Sequence, residues 1–229
     1  MNLEEHDIMK SKTSILIPAR GGSTRFKNKN IRQLKGKSLL GRAIDVAKGT
    51  TCRDICVSTN DVNIASEALR YYVRIVIRPD SLCGATASSE SAMVHFAEQT
   101  DCDAILMLNC TCPLITSYDL QRMVKKYDLG VYESVTLLEK KMLFISRLDG
   151  NFMFPVSYNP YDRKRSQDFK DSDYTYCEAG AWLVSKETLL KTGCRMGGRN
   201  GYVVKEDFNI DIDYEEDLKI AEAYLNERP

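Results

Sequence analysis

Between Thr13 and Lys126 the chain alternates short apolar runs with stretches of helical periodicity, and that rhythm limits its fold more than any other feature. Parallel strands need crossover connections, so a repeated strand and helix implies βα units feeding one mostly parallel sheet. SILIPA, DICVST, VRIVIR and DAILMLN read as strands, three of them continuous enough to be buried on both faces. SLLGRAIDVAKG, DVNIASEALRYY, SSESAMVHFAEQ and SYDLQRMVKKY carry apolar residues at helical spacing. Asp61, Ser88 and Ser117 stand where N-caps belong. The expected core is a three-layer α/β sandwich.

After Gly130 the rhythm changes. YESVTLLEK and GAWLVS still read as strands, but the stretch from Lys140 to Tyr176 has no clear period and is interrupted by Pro155 and Pro160. An aperiodic segment of that length points to a functional loop, a β-ribbon or an oligomerisation arm. YVVKEDFNIDID reads as a strand and YEEDLKIAEAYLNE as a closing helix. No internal repeat is visible. One domain over residues 1–229 is expected, with a mobile start over 1–12 and an inserted arm at about 140–176.

Charge and cysteine usage exclude several classes. Basic and acidic side chains balance at 32 each, which leaves no global field for nucleic acid or an acidic membrane. No apolar run approaches the roughly 18 residues of a membrane span. The opening MNLEEHDIMK has neither the basic nor the apolar region of an export leader, so a cytoplasmic protein is expected. The 8 cysteines form no C-x-x-C pair, which argues for reduced thiols rather than a zinc site. His6 lies in the polar start and His95 in a helical stretch, where a structural role is the plainer one.

The first strand releases into IPARGGSTRFKNKN. Gly21 and Gly22 let backbone approach an anion, while Arg20, Arg25 and Lys29 supply charge at the edge where α/β ligands bind, so polyphosphate is the expected guest. Two familiar loops are excluded. A Walker A loop ending at Gly36-Lys37-Ser38 needs glycine five positions before Gly36, where Ile31 stands, and A-R-G-G-S-T is not G-x-G-x-x-G. Near the end, Asn209-Ile210-Asp211-Ile212-Asp213 alternates polar with apolar residues. On a strand Asp211 and Asp213 would share a face, two hard oxygen donors suited to Mg²⁺. The plainer alternative is a helix start with Asp213 as its cap.

These blocks carry a resemblance. Ile17-Pro18-Ala19-Arg20-Gly21-Gly22-Ser23, Lys29-Asn30-Ile31, Val57-Ser58-Thr59-Asn60-Asp61, Arg78-Pro79, Thr86-Ala87-Ser88-Ser89 and Asp211-Ile212-Asp213 with Glu215-Glu216-Asp217 resemble the CMP-N-acylneuraminate synthetase family of cytidylyltransferases. That resemblance implies a Rossmann-like nucleotidyltransferase fold, CTP and a small anionic acceptor as substrates, Mg²⁺, and a homodimer joined by an arm. It implies that Arg20, Ser23, Lys29 and Asn30 hold triphosphate and ribose, that Arg78, the Ala87 backbone and Ser89 read cytosine, and that Asp211 and Asp213 carry the metal. For the acceptor it implies Arg163, Arg165 and Gln167 in the arm, and Tyr176 and Glu178 in Tyr-x-Glu-x-Gly-Ala.

The chain also departs from that pattern. Thr24 and Arg25 follow Ser23 where lysine is usual, closer to the KDO-activating relatives. Asn109 stands where sialate enzymes carry the glutamine that meets the sugar, Ile115 replaces an arginine, Ala85 an aspartate and Ala179 an asparagine. Three functions therefore stay open: a CMP-nonulosonate synthetase, a cytidylyltransferase for another anionic acceptor such as KDO or a phosphonate, and a nucleotide-binding scaffold.

Overall fold

Ile15, Leu16 and Ile17 are fully buried in the central strand of a seven-stranded sheet. The structure, a computed structural model, describes residues 11–22, 25–84 and 86–227. In chain order the elements are β1 (Thr13–Pro18), a small hairpin of β2 (Gln33–Leu34) and β3 (Lys37–Ser38), α1 (Leu39–Lys48), β4 (Asp54–Thr59), α2 (Val62–Leu69), β5 (Arg74–Ile77), α3 (Ser89–Ala97) and β6 (Ala104–Leu108). Then come α4 (Ser117–Tyr127), β7 (Ser134–Lys141), β8 (Ser146–Asp149), β9 (Phe152–Pro155), β10 (Thr175–Ser185), α5 (Lys186–Thr192), β11 (Asn200–Lys205) and α6 (Glu215–Glu227).

The sheet runs β11-β7-β10-β6-β1-β4-β5, and only β10 is antiparallel to its neighbours. Successive strand residues face opposite sides. Ile15, Ile17, Leu106 and Leu108 therefore pack under α1, α2 and α4, while Leu16, Ile105 and Met107 pack under α3 and α5. The expected three layers are present. Because β1, β4, β5, β6, β7 and β11 point the same way, Arg20, Asn60, Arg78 and Asn109, each just past a strand end, emerge along one edge.

Several local expectations need correction. The last strand stops at Lys205, the register partner of Glu139, and NIDID is not part of the sheet. The chain instead turns across the sheet edge, donating Asn209 N–H to Glu139 Oε1 (3.1 Å) and Ile212 N–H to the Thr111 carbonyl (2.8 Å). Asp213 does not cap the final helix; Asp217 Oδ2 accepts from the N–H groups of Asp213 and Tyr214, each at 2.8 Å. Helix α4 is capped by Thr116 in a capping box with Asp119, and Ser117 Oγ donates to the Val46 carbonyl. VRIVIR yields a four-residue strand at the sheet edge among the described residues, with Arg74 and Ile77 exposed. The aperiodic stretch is a β8–β9 ribbon followed by short 3-10 turns, while Lys140, Lys141, Thr175 and Tyr176 at its ends belong to β7 and β10.

Strand β10 shifts register between Glu178 and Trp182. Gly180 sits there at φ +96°, and a Cβ would collide with Cys112 Sγ. Gly180→Ala is therefore expected to cost about 2–4 kcal/mol, from a left-handed non-glycine residue plus overpacking. Chemical denaturation would read this; an unchanged midpoint would count against the tight contact.

Candidate active site

A small third cluster decides where the charges go. Ile212 is fully buried with Leu34, Leu39 and Ala221, and Phe26 and Leu218 pack against them. Ile212 lies between Asp211 and Asp213, and Phe26 follows Arg25. Burying the two apolar residues together draws the acids and the cations to one place. The result is a pocket of about 310 Å³ lined by Arg20, Arg25, Lys29, Asn30, Asp211 and Asp213, with Ser89, Asn109, Cys110 and Thr111 opposite.

Within it Asp213 bridges two cations, Lys29 Nζ at 2.8 Å and Arg25 Nη1 at 2.7 Å. Burial would raise the Asp213 pKa, but the Lys29 hydrogen bond and the charges of Lys29 and Arg25 outweigh it and hold the carboxyl below its ordinary range. Asp211 is exposed, and its side chain has no hydrogen bond or ion pair among the described residues. The pocket thus pairs an open carboxylate with a cation-held one, an arrangement able to receive a metal-bound polyanion.

The other nucleotide-side residues divide. Arg20 donates to the carbonyls of Cys83 (2.9 Å) and Gly84, clamping the β5–α3 turn to the loop after β1. Asn30 is buried; its Nδ2 donates to the Arg20 carbonyl (2.9 Å), and its Oδ1 accepts from the Cys110 thiol (3.3 Å), whose pKa burial pushes up to about 12. Asn30 thus braces the loop from below. Gly21 does not line the pocket; its N–H donates to Asn60 Oδ1 (3.1 Å), and a Cβ would press on Asp61, so helix α2 rather than an anion explains this glycine. Gly22, at φ +76°, is also outside the lining. Ser23 lies outside the described residues. Arg78 is buried behind the pocket, donating to Ser58 Oγ (3.1 Å) and its carbonyl (2.8 Å), and burial lowers its pKa. The Ala87 N–H closes a turn onto the Gly84 carbonyl.

A second pocket, about 400 Å³, shares Asn109 and Asp211 with the first. Asn109 and Glu178 line it, but Arg163, Arg165, Gln167 and Tyr176 line neither pocket within one chain. Arg163 stacks 4.1 Å over the Phe144 ring, and Arg165 pairs with Asp168 at 2.7 Å on the arm. Glu178 Oε2 accepts from Trp182 Nε1 at 2.7 Å and from Arg195 at 3.3 Å. Sequence reading missed Glu139, Lys141, Trp182, Phe208 and Asn209 in this pocket. Asn209 alone carried a signal, since it begins the polar alternation that continues through Asp211 and Asp213.

A family model described as cytidylyltransferase matches residues 14–227. The chain is 29% identical over 216 residues to N-acylneuraminate cytidylyltransferase A of Danio rerio, spanning 91% of this chain and 50% of the relative. It is 27% identical over 230 residues to pseudaminic acid cytidylyltransferase of Campylobacter jejuni, spanning 92% and 94%. The chain spans about half the length of the first curated relatives it matches. A solved structure of CMP:2-keto-3-deoxy-manno-octonic acid synthetase complexed with CTP superposes with a TM-score of 0.69 at 15% identity, over 94% of this chain and 99% of that one. This likeness bears on fold: the three layers are those of a nucleotidyltransferase.

Proposed function

We propose that this chain, which belongs to the cytidylyltransferase family, transfers CMP from CTP to an acidic sugar of the nonulosonate type and releases pyrophosphate. The observation that carries this reading is the meeting of Arg25 and Lys29 with Asp211 and Asp213 in one pocket at the strand ends. The names of the sialic and pseudaminic acid relatives support the acceptor class. A hydroxyl oxygen of the acceptor attacks the α-phosphorus, the bond to the β-phosphate oxygen breaks in line, and the hydroxyl proton leaves to solvent. Lys29, Arg25 and Arg20 offset the charge that gathers on phosphoryl oxygens, and Asn30 keeps their loop in place. Ser89, which lines the pocket, and the Ala87 backbone would read cytosine, with Arg78, bonded to Ser58, supporting them from behind.

The donor set fits Mg²⁺. Mg²⁺ is usually held by one or two carboxylates plus substrate phosphates, and Asp211 and Asp213 line one pocket. Asp211 would hold it, with Asp213 once released from its cations. Bound there, the ion would neutralise phosphate charge and lower the acceptor hydroxyl's pKa.

A second reading, transfer to KDO or a phosphonate, draws on Asn109 and the buried Cys110 and Cys112 where sialate enzymes differ. Pyrophosphate release from CTP and Mg²⁺ separates the readings across N-acetylneuraminate, pseudaminate, KDO and a phosphonate. Silence with every acceptor despite tight CTP binding would leave a scaffold. A cytoplasmic setting suits this chemistry; no disulfide joins any of the eight cysteines, and no described helix is long and apolar enough to cross a membrane.

The reading includes a homodimer. On the ribbon, register partners Leu148 and Met153 are 76% and 60% exposed, and Phe152 and Val156 are exposed beside them. Such a surface suits a partner, and a shared arm would bring Arg163, Arg165, Gln167 and Tyr176 to the neighbouring acceptor site. The double variant Leu148→Ser, Met153→Ser should then be monomeric by light scattering; an unchanged dimer would move the interface elsewhere.

A further inference from the structure

Asn209 is only 5% exposed, yet its Oδ1 has no hydrogen-bond partner among the described residues. The amide is oriented from its other side. Nδ2 donates to the Ala179 carbonyl at 3.0 Å, and a carbonyl can only accept, so the oxygen is turned away from it. Asn209 lines the second pocket, so an acceptor without a donor stands in that pocket's wall. A buried acceptor without a donor is costly, and few are left so without a reason.

The rest of that pocket asks for the same kind of ligand. Its single cation, Lys141, is already held at 2.6 Å by Glu139 Oε1, which also accepts the Asn209 N–H. Glu178 is engaged by Trp182 and Arg195. With Glu139, Glu178 and Asp211 against Lys141 alone, the charge of the pocket disfavours an anion. Its wall carries acceptor oxygens together with the side chains of Trp182 and Phe208. Acceptors beside aromatic rings suit a carbohydrate, whose hydroxyls donate while its C–H face packs on a ring. The volume, about 400 Å³, suits a single sugar.

We propose that Asn209 is a specificity-determining residue for the acceptor, its Oδ1 accepting from a hydroxyl or amide N–H of a polyhydroxylated substrate, so that the second pocket reads the sugar's polyol part. This rests on the cytidylyltransferase reading and sharpens it, because a small phosphonate without a polyol has nothing to donate there. The acceptor's anionic group is left to the cations of the first pocket, across the shared Asn109.

Trp182 is the only tryptophan and lines this pocket, so its fluorescence reports occupancy without turnover. Titration of the intact protein with N-acetylneuraminate or KDO should give a saturable change, and 2-hydroxyethylphosphonate should give none. Asn209→Leu should weaken the sugar's binding by about tenfold or more while the KM for CTP stays within about twofold, and Asn209→Asp, which keeps an acceptor oxygen, should recover most of it. A leucine variant that binds sugar like the unaltered protein, or equal signals from sugar and phosphonate, would overturn the proposal. So would the absence of any saturable change with either sugar. If the leucine variant does not fold, the aspartate variant and the phosphonate titration decide. Sugar binding that follows these expectations without pyrophosphate release from any acceptor would sink the enzymatic reading and leave the subsite standing.

Discussion

Asp211→Ala is expected to lower turnover by roughly a thousandfold or more while leaving the fold intact. The side chain is exposed and unpaired among the described residues, so its loss removes no structural contact and should move stability by no more than about 0.5 kcal/mol. Its neighbour Ile212 is buried and continues to fix the segment against Leu34 and Leu39. Pyrophosphate release measured beside a thermal melt reads both halves of the expectation. Near-normal turnover in a folded variant would remove the metal assignment, and with it the reason for two acids in this pocket.

Lys29→Met should be nearly as damaging, by a different route. Lys29 is the more buried of the two cations on Asp213, its side chain 16% exposed against 60% for Arg25. Charge is screened less where water is excluded, so Lys29 contributes more than Arg25 to any polyanion in the pocket. A loss of about a hundredfold or more in kcat/KM for CTP is expected, with Arg25→Met costing about tenfold. The double variant Lys29→Met, Asp213→Asn should not lose the product of the single losses, because removing the lysine already leaves Asp213 short of its principal partner. Strictly multiplicative losses would show that the two groups act on the nucleotide independently and that their ion pair carries no functional coupling.

The site was legible in proportion to how local its signals are. Asp211 and Asp213 stood out because alternation around Ile212 is written in five consecutive residues, and burial of Ile212 keeps the two acids at the pocket even though the segment is not a strand and Asn209 at its start is buried. Arg25 and Lys29 stood out because they follow a buried strand. Gly21 was misread: its local context suits an anion loop, while its real constraint is the approach of Asp61 forty positions on. Glu139, Lys141 and Trp182 gave no signal, since each sits in a strand where a charged or aromatic residue is unremarkable until the fold brings all three to one pocket.

Layering and strand direction followed from sequence alone, because burial with a period of two or of about 3.6 residues is set by the chain's own neighbours and fixes which face of each element is covered. The convergence of charge did not. Asp213 meets Lys29 across 184 residues and Arg25 across 188. That meeting depends on β11 lying beside β7 at the far side of the sheet, so that the chain must cross the strand ends to place Ile212 in its cluster. Strand order is decided by which distant surfaces bury one another, and only the folded chain holds that information.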